Sequence, residues 1–170
     1  MALIRHRKPA ADRWQLLEAA ADGGFPVLPL AAPVIVTLAQ WQAQRESLLA
    51  RSGDLGVWLA AEDDPAALAP DLERLMLVAV RFKSFTDGRG YSIGRLLRER
   101  HGYRGELRAI GDIQRDQLLY LERCGFDAFS LREGEEVDVA LQAFHDFAET
   151  YQAAVDQPLP LYRRRAARAA

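Results

Sequence analysis

The sequence predicts an α/β protein built on a mainly parallel sheet of four to five strands with crossover helices. Two observations predict it. From Pro33 onward short β-branched or apolar runs alternate with helix-like stretches, and parallel neighbours need a crossover, commonly a helix. The chain has 170 residues, 49% of them hydrophobic and 27% charged, which suits one well-buried core rather than two domains or a disordered chain. A doubly wound sheet and a half-barrel both satisfy this pattern. Four or five units cannot complete an eight-unit barrel within one chain.

The first 32 residues hold "LIRHRKP" and "DRWQLLEAA", which fit a small hairpin or an extended arm packing on the main domain. Residues 33–156 form that domain. "PVIVTL" precedes "AQWQAQRESLLAR", where Leu38, Trp41, Leu48 and Leu49 make a buried stripe. "GVWLA" is a buried strand, followed by the acidic, proline-punctuated loop "AEDDP". "LMLVAVRF" is the clearest strand, and "YSIGRLLRERHG" places Ile93, Leu96 and Leu97 at helical spacing before Gly102 stops the helix. "ELRAI", "DIQRDQLLYLERCG" and "FDAFSL" continue as strand, helix and strand, and "VDVALQAFHDFAETYQAAV" has the apolar spacing of one long final helix. Trp41, Tyr120 and Phe129 are expected in the core. Residues 157–170 carry four arginines and no apolar stripe, the composition of a mobile tail.

Net charge is −2, so no global field draws the protein to nucleic acid or an anionic membrane. The N-terminus lacks the pattern of a secretory signal. Its longest nearly apolar run, Phe25 to Ala39, is broken by three prolines and falls short of the ~20 residues of a membrane span. These features fit a cytoplasmic protein without membrane or nucleic-acid partners. Cys124 is the single cysteine; it excludes an internal disulfide and, at a helix end before Gly125, suits an inert buried thiol.

Right-handed crossovers bring every strand-to-helix loop to one edge, where such sheets bind ligands. Glu62, Asp63, Asp64, Lys83, Asp87, Asp112, Arg132 and Glu133 follow the strands there. "FTDGRGYS" is the densest group. Gly88 and Gly90 permit close backbone approach, the following helix directs unpaired amides into the same space, and Lys83 and Arg89 supply charge suited to an oxyanion. Thr86, Asp87, Tyr91, Ser92 and Gln117 complete the candidate ligand-binding set. Between Arg81 and Arg123, ten Lys and Arg face six Asp and Glu, a local excess that favours an anionic ligand or partner surface. The motif has neither the P-loop spacing nor the three-glycine dinucleotide fingerprint, so no nucleotide or other cofactor follows from it. Against this stands a plain turn with Asp87 as helix cap.

Asp112 likewise sits where an N-cap belongs, and capping is favoured over catalysis for it. Asp87 and Asp112 are nevertheless the candidate catalytic carboxylates; facing each other across adjacent strand ends they would suit a magnesium-like ion, the least favoured reading, and no metal is expected. Arg98 and Arg100 fit a solvated helix face. His101 and His145 lack metal-ligand spacing, and His6 belongs to the N-terminal arm.

"RFKSFTDGRGYSIGRLLRERHGYRGELRAIGDIQRDQLLYLERCGFDAF", from Arg81 to Phe129, closely resembles the bacterial family known as domain of unknown function 934. Phe82, Lys83, Phe85 to Ser92, Gly105 to Ala109, Gly111, Asp112, Asp116, Gln117 and Arg123 to Asp127 carry the likeness. A weaker similarity extends through "PVIVTLAQW" and "GVWLAAEDDP", from about Pro33 to Tyr151. The resemblance implies a bacterial cytoplasmic protein whose genes accompany those of assimilatory sulfate and sulfite reduction, in a family described as oxidoreductases of that pathway. It carries over no catalytic residues. One cysteine and no cluster ligands or nucleotide fingerprint fit better an accessory protein that binds an oxyanion or an anionic surface of a pathway enzyme such as sulfite reductase. The alternatives are a small enzyme acting on a sulfur oxyanion or sulfonucleotide, and an assembly factor without a small ligand.

Overall fold

The computed structural model describes residues 2–20 and 23–169; Met1, Ala21, Asp22 and Ala170, parts of the N-terminal and tail segments, lie outside the described residues. Three short strands come first: β1 (Leu3–Arg5), β2 (Lys8–Ala10) and β3 (Gln15–Leu16). Strand–helix units follow: β4 (Val34–Thr37) with α1 (Leu38–Ala50), β5 (Leu55–Leu59) with a 3₁₀ helix over Pro65–Arg74, and β6 (Leu77–Phe82) with α2 (Arg89–Glu99). Next are β7 (Glu106–Gly111), a 3₁₀ turn over Arg115–Gln117 leading into α3 (Leu118–Arg123), β8 (Ala128–Ser130), α4 (Val137–Gln142) and α5 (Leu161–Ala169).

All eight strands join one sheet in the order β2-β1-β8-β7-β6-β5-β4-β3. From β3 to β8 every pairing is parallel, while the β1–β2 hairpin adds antiparallel strands beyond β8. The sheet is thus mostly parallel but has eight strands, not four to five. The extra three come from the N-terminal segment, whose short runs are too brief to show periodicity on their own. His6 and Arg7, both at positive φ (50° and 59°), make the tight turn whose twist matches a hairpin.

The order β4 to β8 is monotonic, so each right-handed crossover steps the same way and deposits its helix on the same face. Val36, Val57, Val80, Ala109 and Phe129 on that face pack with Trp41 and Leu48 of α1, Ile93 and Leu97 of α2 and Leu121 of α3 in the main core. The opposite face holds a second, smaller cluster of Ile35, Leu77, Ala79 and Ile110, with Trp14 and Trp58 packed against it. Connectivity forces this face to be concave. Ala10 ends β2 and Gln15 starts β3, on opposite edges of eight strands; five residue steps reach at most about 18 Å, whereas a flat sheet of that width spans about 34 Å. The sheet therefore curls into roughly half a barrel, and residues 11–14 cross its open side. This decides between the doubly wound and half-barrel alternatives.

Local chemistry explains the crossovers. Thr37 caps α1 by accepting from the Gln40 N–H, and Asp64 caps the 3₁₀ helix through the Ala66 N–H. Pro65 and Pro70 lie in that helix, and the second removes a donor that a regular α-helix needs. α2 lies close to the core because Gly94 faces the Phe126 ring, where a Cβ would come within 2.3 Å.

Several sequence expectations need correction. The long final helix stops after α4 and a 3₁₀ turn over Ala143–His145: Phe144 packs on Phe129, but Phe147 and Tyr151 are exposed, and a helix without a packed face has little to hold it. The tail instead forms α5, where Arg164 pairs with Glu149 and donates to the Thr150 carbonyl. Tyr120 is 58% exposed and Leu96 also lies outside the core. Arg98 is not a solvated surface residue: it donates to the carbonyls of Gly125, Tyr103 and Gly105 and to Asp127 at 2.8–2.9 Å, tying α2 to the strand ends below it.

Arg98→Leu should lower unfolding free energy by about 3–5 kcal/mol, because it leaves the Asp127 charge without its cation, Oδ2 without a donor and three carbonyls unpaired by Arg98. Arg98→Lys should recover little of that, since an ammonium cannot span the same acceptors. Urea denaturation reads both.

Candidate functional site

The strand C-terminal edge gathers the predicted charges, and most of them hold one another. Lys83, just beyond β6, lies 3.2 Å from Glu62 beyond β5. Arg89, the first residue of α2, donates from Nε (2.9 Å) and Nη2 (2.7 Å) to the two Asp87 oxygens, and its own backbone N–H reaches Asp87 Oδ1 at 3.2 Å. The guanidinium and that N–H hold the Asp87 carboxyl down at about 2, and the Lys83 ammonium likewise lowers Glu62. The four side chains form a rim cluster of two cations and two carboxylates. Lys83 and Arg89 remain well exposed, at 59% and 60% of their side-chain surface.

The glycines serve a different purpose from the one their motif suggests. Gly88 takes φ −83° as the cap residue of α2, a conformation open to any residue. Gly90 is buried against Phe82, whose ring would lie 2.6 Å from a Cβ there, so it permits helix-to-strand packing. A positive φ occurs instead one strand along, at Gly111 (φ 100°), where a Cβ would meet the Phe82 carbonyl at 2.2 Å.

Thr86 is bonded to Ser84 through the hydroxyls at 3.0 Å. Ser92 lies apart, lining a shallow hollow on the outer flank of α2 with Arg95 and Glu99. Tyr91 meets Phe82 edge-on and Tyr120 at a tilt, with centroids 5.2 and 5.1 Å apart, and its Oη accepts from Gln117 at 3.3 Å. Gln117 is buried and its amide oxygen accepts the Gln114 N–H at 3.0 Å. Gln114 and Gln117 therefore cap the helix after β7, the role expected for Asp112. The turn at Gly111 displaces the helix start, and Asp112 instead meets Gln114 Nε2 at 3.3 Å and Arg132 at 3.6 Å. Among the described residues no cluster of three or more His, Cys, Asp and Glu is placed to hold a metal. Cys124 is buried, and desolvation raises its thiol.

The concave face carries a second group that the loop-centred reading passed over. Arg108, 2% exposed, donates from Nη1 to both Asp12 oxygens at 2.9 Å and from Nε to Glu106 at 2.8 Å. Arg81 lies with its guanidinium carbon 4.2 Å from the centre of the Trp58 ring and pairs with Glu18. Both arginines line a cavity of about 230 Å³ between the sheet and the N-terminal segment. Their signal was present in the sequence: an arginine in the alternating strands "VAVRF" and "ELRAI" falls on the face opposite the main core, where a charge needs a partner.

Fold and rim together define the class, a half-barrel α/β protein whose charged loops converge on the C-terminal edge of its parallel strands. The chain belongs to a bacterial protein family of unknown function, DUF934, whose model matches residues 56–162. The match starts within β5 and runs into α5, so it is longer at the C-terminal side than the sequence resemblance and leaves out "PVIVTLAQW". A comparison with curated proteins gives no significant match.

Asp87 should titrate near 2 by carboxyl carbon NMR, and in Arg89→Ala its midpoint should return toward 3.8. The sign follows from the depressed folded-state value: the pair's stabilisation is complete above the ordinary aspartate range and disappears as pH falls toward 2. The exposed rim makes that stability change small.

Proposed function

We propose that this protein is a cytoplasmic accessory of sulfur-oxyanion assimilation that binds an oxyanion, or an anionic surface of a pathway enzyme such as sulfite reductase, at the strand C-terminal edge. The observation that supports this reading is the exposure of Lys83 and Arg89 on one rim, with Arg89 oriented by two bonds to Asp87. An arginine held in a fixed direction loses less side-chain freedom when an oxyanion approaches its remaining donors. The N-terminus of α2 adds a positive dipole end beside it. The sulfur-pathway assignment rests on the family resemblance.

Binding is favoured over catalysis by the state of Asp87. A general acid or base works best with a pKa near the operating pH, whereas Arg89 holds Asp87 at about 2. Asp87 therefore acts by orienting Arg89, and Asp112, joined to Arg132 and Gln114, by ordering the next loop.

A thermal-shift titration at fixed ionic strength with sulfate, sulfite, phosphate and adenosine phosphosulfate tests the proposal. A saturable rise in Tm in the wild type, lost in Arg89→Ala and reduced in Lys83→Ala, is expected. If none of these anions shifts Tm and immobilised protein also fails to retain sulfite reductase, the proposal is wrong.

A further inference from the structure

We propose that the cavity on the concave face, beneath the N-terminal segment, binds a small organic dianion: two carboxylate-like groups joined by a short apolar spacer. This site is separate from the rim and does not depend on the reading given to it. Arg81 and Arg108 stand on neighbouring strands and point to the same side of the sheet. In the β6–β7 register Arg108 lies opposite Ala79, and Arg81 comes two residues later, opposite Ile110. Their Cα atoms are consequently about 8 Å apart, from one strand spacing and two residue rises. That separation suits two anionic groups on one small molecule, each taken by one arginine fork.

The protein itself supplies the template. Asp12 and Glu18, six residues apart on one segment, occupy the two arginines. The Arg81 guanidinium has Glu18 as its one hydrogen-bonded partner among the described residues, leaving most of its five donors for another acceptor. Trp58 beneath it fixes the plane of the fork through its ring face. Arg108 keeps Glu106 when Asp12 leaves, so an exchange of Asp12 for a ligand carboxylate does not strand the buried charge. Trp14, Ile35 and Ile110 also line the cavity and supply apolar walls. A volume of about 230 Å³ corresponds to roughly seven or eight waters of liquid, enough for a dicarboxylate of four or five carbons.

The segment that carries the competing carboxylates is held mainly by side chains where it crosses the sheet. Residues 11–14 make no backbone hydrogen bond to the sheet among the described residues; the Trp14 N–H goes to the Asp12 side chain. β3 is two residues long, and the ties beside it include Gln15 N–H to Pro33, Leu17 N–H to Ile35, Trp58 Nε1–H to the Leu17 carbonyl and an exposed Arg13–Asp54 pair. Glu18 is 62% exposed on its side chain, so its pair with Arg81 is of the kind worth little against a ligand. The acidic segment then acts as an internal competitor that the dianion displaces.

Isothermal titration calorimetry of the full chain with succinate and glutarate, and separately with acetate, reads the site. Wild type should bind a dicarboxylate saturably and more tightly than acetate. Glu18→Gln, which removes a competitor from an exposed position, should tighten binding by about threefold or more, and Arg81→Gln should weaken it by at least about tenfold. Arg89→Ala at the rim should leave it unchanged, which separates this site from the oxyanion proposal. Arg81→Lys serves as the check if Arg81→Gln does not fold, and it should bind more weakly than wild type because it lacks the fork. Absence of dicarboxylate binding in both wild type and Glu18→Gln overturns the proposal, as does binding that Arg81 substitutions leave intact or that Arg89→Ala abolishes.

Discussion

The short link from Ala10 to Gln15 governs this structure. It joins opposite edges of an eight-stranded sheet with a reach of about half the width of that sheet laid flat. Curvature is therefore a condition of connectivity. The monotonic strand order cooperates, because crossovers that all step one way place all their helices outside the curve. What remains inside is a face that, among the described residues, the N-terminal segment covers. Arg81 and Arg108, which point into it, take Glu18 and Asp12 from that segment, Arg108 holding Glu106 of β7 as well; the link that curls the sheet thus also supplies one of the charges its interior needs.

The outer face follows ordinary core physics with one recurring device, the close approach of aromatic rings to glycine. Phe82 fills the space over Gly90, and Phe126 the space over Gly94. These contacts bring α2 down onto β6 and the loop that enters β8, where Arg98 then satisfies the carbonyls of the loops beneath it. At the rim, by contrast, charges neutralise one another across loops: Glu62 with Lys83, Asp87 with Arg89, Asp112 with Arg132. The two environments impose different demands. A buried arginine must be fully partnered, while a rim arginine keeps donors facing solvent and is available to a ligand.

The order of central elements was legible because strands and helices there are long enough to show their periods, as "LMLVAVRF" and "YSIGRLLRER" do. Their charged loops were legible too, since a parallel sheet sends them to one edge. The purpose of individual residues was less so. Gly88 and Gly90 look like a backbone cradle in sequence, yet the second is explained by the Phe82 ring, which a Cβ there would strike at 2.6 Å, and the first by a cap with φ −83°. Asp112 has the sequence position of a cap and loses it to Gln114 because Gly111 turns the chain first.

Sequence alone determined the α/β class, the family and the gathering of Lys83, Asp87 and Arg89 beside α2, because each rests on local periodicity or on residues adjacent in the chain. Only tertiary structure decided that there are eight strands, that the sheet is a half-barrel, that Leu161–Ala169 is an anchored helix, and that Arg81 and Arg108 share a cavity with Asp12 and Glu18. The physical reason is range. Arg108 and Asp12 are 96 positions apart, and strands of two or three residues are stable only once a neighbour supplies the other half of their hydrogen bonds.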